Sequence, residues 1–352
     1  MSDGNTRRNR KRTKTSKRYK VRYDRILGAV LLLAAVAMVI SSCVNSCSST
    51  PADDNAVSTE AAATTTAPQS TIVDNLKPTD GSTPGIIQTK PTKEEEDVTK
   101  YTSEVHPFED TYKGDLVLIN SDHMYQFPEG DTDIVTFFDH MDKSCYSVCD
   151  LVTKLDSTAL SHLDALMQGF IAEGNENDIT VIGGYRTLEE QNDKYNSGLS
   201  GFSGGYTDYH SARTFDLGIF PKDGSSSGYY SSFGNYSWID EHASDFGFIV
   251  RYPEGKESYT GERARTYTYR YVGLPHAVYI KQNGLCLEEY LEELKDHRSS
   301  NPLEITAGND LYNVYYVPAE KNGNTEVPVP KDQTYTVSGD NSGGFIVSAL
   351  MN

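Results

Sequence analysis

The clearest pattern of apolar and polar positions predicts a helix between Asp156 and Gly174. Its apolar residues recur every three or four positions and therefore lie along one face of a helix. These residues are Leu160, Leu163, Leu166, Met167, Phe170 and Ile171. Asp156 and Ser157 are residue types that cap a helix at its start, and Gly174 is typical of a helix end.

Three further segments carry helix signals. Thr187 and Glu190 have the spacing of a capping box, which predicts a helix that begins at Thr187. The segment Trp238–Phe246 predicts a short helix closed by Gly247. The segment Cys286–Lys295 predicts an acidic amphipathic helix.

Short apolar runs and period-two alternation predict the strands. In the middle of the chain these are LVLIN (116–120), ITVIGG (179–184), FDLGIF (215–220), FIVRY (248–252) and TYTYRY (266–271). After residue 300 only short β-runs remain, at 312–317, 326–329, 335–337 and 345–350. Helices and strands do not alternate strictly, so we predict an α+β fold. It comprises an antiparallel sheet with flanking helices over residues 101–300 and a small all-β appendage over 301–352.

An uncharged apolar run, ILGAVLLLAAVAMVI, begins at residue 26 and extends to nineteen residues at Val44. This length is close to the roughly 20 residues that span a bilayer. Basic residues precede it, which predicts a single-pass helix over 26–44 with residues 1–25 in the cytoplasm and the rest extracytoplasmic. A cleaved signal peptide is one alternative. Lipidation at Cys43 is another, because Ile-Ser-Ser-Cys resembles a bacterial lipobox. We favour the retained anchor.

Composition changes sharply on either side of this run. Residues 1–25 hold eleven of the 32 Lys/Arg and two of the 50 Asp/Glu, which leaves the remainder with a net charge of −27. Such an acidic domain would be repelled by nucleic acid, whereas the basic tail suits anionic lipid. Residues 45–100 are rich in Ser, Thr, Ala and Pro and predict a disordered stalk.

Four stretches in the middle of the chain resemble one family. They are GYRTLEEQ (184–191), TDYHSARTFDLGI (207–219), WIDEHASDFGFIVRYPEGKE (238–257) and RTYTYRYVG (265–273). Together they resemble the VanY-like D-alanyl-D-alanine carboxypeptidases, zinc peptidases that remove the terminal D-Ala from stem peptides of the bacterial cell wall. The resemblance covers roughly residues 155–297 and implies a carboxypeptidase-like fold that works outside the membrane.

The family builds its zinc site from two motifs. The first, Ser-x-His-x-x-Gly-x-Ala-x-Asp, supplies a His and an Asp ligand, and the second, Glu-x-x-His before Arg-Tyr-Val-Gly, supplies the general base and a third ligand. Three N/O ligands leave zinc an open position for water. The metal lowers the pKa of that water, and the Glu moves its proton.

This sequence departs from the first motif at most of its specified positions. Alignment on Asp216, which matches the ligand Asp, places Thr207 at the Ser and Tyr209 at the ligand His. Ala212 stands at the Gly. Tyr is a rare zinc ligand, so the resemblance implies a weakened metal site.

The second motif has lost both of its reactive residues. Alignment on Arg270-Tyr-Val-Gly places Arg265 at the base Glu and Thr268 at the ligand His. A guanidinium remains protonated and cannot act as a base. It would bring a fixed positive charge close to the place of the zinc ion, opposite Asp216. The sequence therefore indicates a degenerate site without a cofactor.

His210 offers an alternative. It is adjacent to the ligand position, and His276 lies eight residues beyond Thr268. A rebuilt zinc site of His210, Asp216 and His276 would restore an active peptidase. A one-residue slip on a strand, however, turns a side chain to the opposite face.

Three substrate-binding positions match the family. Arg186 stands where the family Arg holds the peptide carboxylate, which suits its planar, bidentate fork. Gln191 matches the Gln of the same motif, and Thr207 keeps a hydroxyl. The competing interpretation for Arg186 is a salt bridge to an acidic neighbour such as Asp216.

Three functional hypotheses follow. The leading one is a membrane-anchored, catalytically inactive carboxypeptidase-like protein that binds peptidoglycan stem peptides or a cell-wall partner protein. The second is an active zinc D-alanyl-D-alanine carboxypeptidase with a rearranged site. The third is a structural or adhesive ectodomain. An open groove lined by Arg186, Arg265 and Asp216 would favour a carboxylate ligand, whereas a filled cleft would argue against ligand binding.

Overall fold

The structure is a computed structural model that describes residues 100–129 and 132–351, which fall within one compact unit. The predicted tail 1–25, the apolar span 26–44 with Cys43, and the stalk 45–100 apart from its last residue lie outside the described residues. Within the described ranges, no helix combines the length and the apolarity needed to cross a bilayer.

Fourteen strands and seven α-helices make up the described chain. The strands are β1 (Tyr101–Pro107), β2 (Ile134–Thr136), β3 (Ser147–Val148), β4 (Lys154–Asp156), β5 (Ile179–Gly183), β6 (Thr214–Ile219), β7 (Gly228–Tyr229), β8 (Phe248–Tyr252), β9 (Arg265–Tyr271), β10 (Leu303–Ala307), β11 (Asp310–Pro318), β12 (Asn324–Pro330), β13 (Tyr335–Gly339) and β14 (Gly344–Leu350). The helices are α1 (Phe137–His140), α2 (Ser157–Ala172), α3 (Leu188–Asn196), α4 (Ser237–His242), α5 (Glu257–Thr260), α6 (His276–Asn283) and α7 (Leu287–Leu294).

Local signals place the helices as predicted. The Asp156 side chain accepts hydrogen bonds from two backbone N–H groups at the start of α2. Thr187 and Glu190 form the predicted capping box of α3. Helix α4 runs on into a 3-10 turn at Ala243–Phe246, and Gly247 ends it with φ of +85°. These ends depend on residues close in sequence, and all three predictions are confirmed.

Six strands form the central sheet, in the order β3–β5–β6–β9–β8 with β7 paired to β6. Only β3 and β5 are parallel. The register of β6 and β9 sets Asp216 opposite Thr268 and Thr214 opposite Arg270. Side chains alternate between the two faces of a strand, so these four residues share one face. Phe215, between two of them, points into the core on the other face.

The main core lies between the helices and that other face of the sheet. Leu163, Met167 and Phe170 of α2 pack with Phe215 of β6 and Tyr269 of β9. Each fully buried apolar side chain of this size contributes roughly 1.5–3 kcal/mol. The stripe predicted for α2 is therefore the face that fixes the position of β6 and β9.

The C-terminal strands form a four-stranded antiparallel sheet in the order β10–β11–β14–β13. Ile305, Val314 and Ile346 from this sheet share a core with Ile280 of α6 and Leu291 of α7. Strand β12 pairs instead with β1, at the beginning of the described chain. The predicted α+β class with a C-terminal β region is confirmed, although the sequence pattern did not reveal β1 or β10.

The prediction of a strand at 116–120 is wrong. Residues 116–119 are buried in irregular backbone, and side chains rather than a neighbouring strand bind carbonyl groups of this segment. Arg270 donates to the carbonyl oxygen of Val117, Arg251 to that of Ile119 and Asn341 to that of Leu118. The apolar pattern correctly indicated burial, but the partners come from distant parts of the chain.

Candidate functional site

A pocket of about 640 Å³ opens on the polar face of the central sheet. Its lining includes three arginines, two carboxylates and three tyrosines, namely Arg186, Arg263, Arg265, Asp216, Glu262, Tyr209, Tyr229 and Tyr267. The structure therefore brings together Arg186, Asp216, Tyr209 and Arg265 at one cavity, as the sequence hypothesis of an open groove requires.

Asp216 is held by two hydroxyl groups. The Tyr209 hydroxyl donates to the carboxylate, 2.7 Å from each oxygen, and the Thr268 hydroxyl donates to Oδ1 at 2.7 Å. Thr268 reaches it because the strand register places the two residues opposite each other. On the other side stands Gly183, where a Cβ would lie only 2.9 Å from Oδ2 of Asp216. The carboxylate thus occupies a fitted polar cradle.

Tyr209 lies in a 3-10 turn, Asp208–Ser211, directly before β6. Burial and the neighbouring Asp216 carboxylate raise the pKa of Tyr209 well above its usual range, so the phenol remains protonated and donates. The turn ends at Ala212, whose φ of +57° lies in the left-handed region that favours glycine. The backbone conformation that suits the family Gly is present although the residue is alanine.

The donor set around Asp216 does not match a catalytic zinc site. It consists of one carboxylate and two hydroxyls, whereas zinc sites of this kind use three ligands drawn mainly from His, Asp, Glu and Cys. Within residues 100–129 and 132–351, no group of three or more His, Cys, Asp or Glu side chains is arranged to hold a metal ion.

Arg265 lies at the first position of β9, opposite Tyr252 of β8. Its guanidinium lies 4.3 Å from the centre of the Tyr252 ring and 3.2 Å from a Glu262 oxygen. Its Nε is buried and has no hydrogen-bond partner. Burial raises the pKa of Glu262, although the guanidiniums of Arg265, Arg251 and Arg263 oppose this shift. Two pocket arginines therefore share one carboxylate and leave a positive excess.

Arg186 lies across the pocket from this pair. Its guanidinium stacks 3.8 Å from the centre of the Tyr209 ring and donates to Gln191 Oε1 at 3.2 Å. In the described part of the chain it forms no salt bridge to Asp216 or to any other carboxylate. The Tyr209 ring and the Gln191 amide hold the guanidinium in one plane. The structure therefore does not contain the salt bridge between Arg186 and Asp216 that was the competing interpretation.

Gln191 and Thr207 are buried and do not line the pocket. The Gln191 amide also donates to Ser200 Oγ and to the Phe202 carbonyl, each at 2.8 Å. It thereby connects Arg186 to a loop at the pocket wall. Thr207 precedes the 3-10 turn, and its carbonyl accepts from the His210 N–H. Both residues are in a position to orient the site rather than to contact a ligand.

The structure does not bring His210, Asp216 and His276 together as a zinc site. His210 is buried, donates from Nδ1 to the Arg186 carbonyl at 2.6 Å and accepts from the Gly205 N–H at Nε2. Both ring nitrogens are therefore engaged. His276 lies at the start of α6, between the hydroxyls of Tyr290 and Ser348. The two histidines and Asp216 are in three different environments and do not form a ligand set.

Sequence reasoning missed several residues of the pocket wall, among them Glu262 and Tyr229. Glu262 stands three residues before Arg265, a spacing that can pair opposite charges in a turn or helix. Tyr229 belongs to a loop rich in Ser, Gly and Tyr whose contacts no local pattern specifies. Only the pairing of β7 with β6 places Tyr229 at the pocket.

Comparisons with known proteins show what this chain is similar to. Residues 152–274 match the family model VanY, D-alanyl-D-alanine carboxypeptidase. A D-alanyl-D-alanine carboxypeptidase of Enterococcus faecium is 29% identical over 245 residues, which cover 69% of this chain and 77% of that protein. Another, from Enterococcus faecalis (strain ATCC 700802 / V583), is 38% identical over 130 residues, which cover 33% of this chain and about half, 48%, of that protein.

One solved structure shares the fold. It is the crystal structure of the vancomycin resistance D,D-dipeptidase VanXYg in complex with a D-Ala-D-Ala phosphinate analogue. It superposes with a TM-score of 0.62 at 25% sequence identity, over 71% of this chain and 99% of that chain.

Proposed function

We propose that this chain, which is similar to the VanY D-alanyl-D-alanine carboxypeptidases, is a member of that family that binds peptidoglycan stem peptides without hydrolysing them. The observation that carries the proposal is the pocket itself. It is lined by Arg186, Arg265 and Tyr209, and Asp216 in its lining is bound by the hydroxyls of Tyr209 and Thr268.

The pocket suits a terminal carboxylate. Arg186 presents a planar fork without a counter-ion, and such a fork binds a carboxylate through two parallel hydrogen bonds. Hydrogen bonds to charged groups contribute roughly 1.5–3 kcal/mol each. Three guanidiniums stand against two carboxylates in the lining, so one further carboxylate would neutralise the cavity. We therefore expect a ligand with a single C-terminal carboxylate.

The same residues argue against zinc hydrolysis. Water activation by zinc requires three protein ligands and an open coordination position, and proton transfer requires a base. Asp216 offers one ligand, Tyr209 and Thr268 offer hydroxyls already bound to it, and Arg265 cannot accept a proton. We propose that the protein uses no cofactor and that the positive charge of Arg265 partly replaces that of a metal ion.

The location of the domain relative to the membrane is proposed from the sequence alone. The apolar run 26–44 supports a membrane anchor, with the binding domain extracytoplasmic, where stem peptides are found. The partner would then be the peptidoglycan stem peptide or a protein of the cell wall.

The test combines metal analysis with two functional measurements on the purified full-length protein. We expect no stoichiometric zinc after equilibration with the metal and no D-Ala release from a stem pentapeptide. We also expect calorimetric binding of that peptide, weakened at least about tenfold by amidation of its C-terminus. Arg186→Gln should abolish this preference, whereas Arg298→Gln, outside the pocket, should preserve it. Stoichiometric zinc together with D-Ala release would overturn the proposal.

A rebuilt variant provides the positive control. Tyr209→His, Thr268→His and Arg265→Glu combined with Asp216 would supply three ligands and a base at the family positions. We expect this variant to retain zinc through dialysis, although the native protein does not. Zinc retention is the readout, because recovered activity requires further adjustments of geometry.

A further inference from the structure

A second cavity adjoins the pocket through one aromatic residue. Tyr229 lines the pocket of about 640 Å³ and also a neighbouring cavity of about 340 Å³. Its ring stacks on Tyr267, with centroids 4.3 Å apart and ring planes 19° apart. The pairing of Tyr229 with Gly218 in β6 fixes the backbone beneath it. The aromatic wall between the two cavities is therefore held in place before any ligand arrives.

The second cavity differs from the first in its chemistry. Its described lining contains no charged side chain and is composed of aromatic, aliphatic and serine residues, among them Tyr229, Phe233, Tyr236 and Ser231. Tyr229 is 65% exposed and Phe233 is 84% exposed. Large aromatic rings exposed at this level next to a cavity mark a binding surface rather than a core.

Flat aromatic faces edged by hydroxyls suit a neutral sugar ring. The C–H face of a pyranose packs against an aromatic ring, and its hydroxyl and acylamino groups can bond serine hydroxyls and backbone groups. A charged peptide side chain would find no counter-ion here. We propose that the second cavity binds an amino-sugar ring of the glycan strand that carries the stem peptide. This inference rests on the proposed function, because it assigns the peptide to the adjoining pocket.

The dimensions allow one ligand to reach both cavities. An extended peptide of five residues spans about 17 Å. The two cavities share Tyr229, so they adjoin one another along the surface. A sugar joined to the peptide would bind with little further loss of translational freedom, because the peptide already holds it at a high effective concentration.

The experiment compares two ligands that differ only in the sugar. Calorimetry on the full-length protein measures a disaccharide-pentapeptide and the same free pentapeptide. Stacking on one or two rings predicts that the sugar-bearing ligand binds about tenfold more tightly. Phe233→Ala should bring this ratio close to one and leave the affinity for the free peptide unchanged, because Phe233 lines only the second cavity. Tyr229→Ala should weaken both ligands.

Phe138→Ala is the matched control, because Phe138 is exposed but lines neither cavity. Circular dichroism and thermal unfolding check that each variant is folded. Equal affinities of the two ligands for the native protein would overturn the sugar site and leave the proposed function standing. Binding of the sugar-bearing ligand alone, lost in Phe233→Ala, would support the sugar site and contradict the peptide pocket. Failure of both ligands to bind would overturn both.

Discussion

Asp208, in the 3-10 turn before β6, and Asp216, on β6, lie eight residues apart in the chain, yet their surroundings differ. Asp208 is 0% exposed and pairs with Arg270 at 2.8 Å and Arg251 at 3.2 Å, while Thr214 donates a short hydrogen bond to it. Asp216 is 9% exposed, is bound by two hydroxyls and borders the pocket. One carboxylate is neutralised inside the fold, and the other faces the ligand site.

The two sites show that the partners of a buried carboxylate determine whether its charge is neutralised within the fold. The two arginines at Asp208 extend to other parts of the chain, since Arg251 also pairs with Glu288 and Arg270 donates to the Asp115 carbonyl. The network joins β8, β9, α7 and the 116–120 segment. Hydroxyl donors at Asp216 satisfy its lone pairs but carry no charge. Its negative charge remains available to a cation across the cavity, such as Arg265.

The largest difference between the two sites should appear when the charge of each carboxylate is removed in turn and the free energy of unfolding is measured. Asp208→Asn leaves two buried guanidiniums without their shared counter-ion and should reduce the free energy of unfolding by about 3–5 kcal/mol. Asp216→Asn keeps a hydrogen-bonding side chain at a hydroxyl-lined site and should cost about 1–2 kcal/mol. Urea unfolding monitored by circular dichroism measures both values. Equal losses would mean that the Asp208 network is no more important than the pocket carboxylate.

A pH series should separate the Asp208 network from another buried group, His276. Burial lowers the pKa of His276 from 6.5 to about 4, so the unfolded chain takes up a proton more readily than the folded one. Stability should therefore fall by about 3 kcal/mol as the pH falls from 6.5 to 4. A flat profile across this range would contradict the burial of a neutral His276.

The stability that Asp208 contributes should be lost at a lower pH than that of His276. Burial alone would raise the pKa of Asp208, but Arg270, Arg251 and the Thr214 hydroxyl outweigh it and hold this pKa below its ordinary value of 3.8. Stability from this lowered pKa is present above pH about 4 and is lost as the pH falls through the folded value. Asp208→Asn should flatten the curve only below pH about 4.

The smallest expected effects come from deleting one hydroxyl at each carboxylate. Tyr209→Phe removes one of the two hydroxyl donors of Asp216 and should cost about 1–2 kcal/mol. Thr214→Val removes a donor from Asp208, which keeps two guanidiniums, and should cost less than about 1 kcal/mol. Thermal unfolding of both variants measures the order. A larger loss of stability in Thr214→Val than in Tyr209→Phe would contradict this order. It would show that a hydroxyl contributes more at Asp208, despite its two arginines, than at Asp216.

Some of the fold could be read from neighbouring residues. The caps at Asp156 and at Thr187 with Glu190, and the apolar stripe of α2, depend on contacts within a few positions. The segment 116–120 could not be assigned correctly, because an apolar run indicates burial without indicating which groups bind the backbone. Here the partners are Arg251 and Arg270, more than 130 residues away.

For the candidate site as well, the sequence predicted some features and the tertiary structure was needed for others. The sequence placed Tyr209, Asp216, Arg265 and Thr268 at the reactive positions of a family motif. The structure brings Tyr209, Asp216 and Arg265 to one pocket, and Thr268 donates to Asp216. The sequence could not reveal that both nitrogens of His210 bind backbone groups, nor that Gln191 is a buried support. Hydrogen-bond partners of buried polar groups are set by the packing of distant segments.

The sequence by itself determined the α+β class, the helix ends and the motifs that resemble the family. These features follow from local spacing and side-chain chemistry. Only the tertiary structure decided that Tyr209 and Thr268 bind Asp216 and that Tyr229 joins the pocket to a second cavity. It also decided that Arg186 pairs with no carboxylate among the described residues. Each of these depends on strand register and on long-range packing, which bring together residues that no local pattern relates.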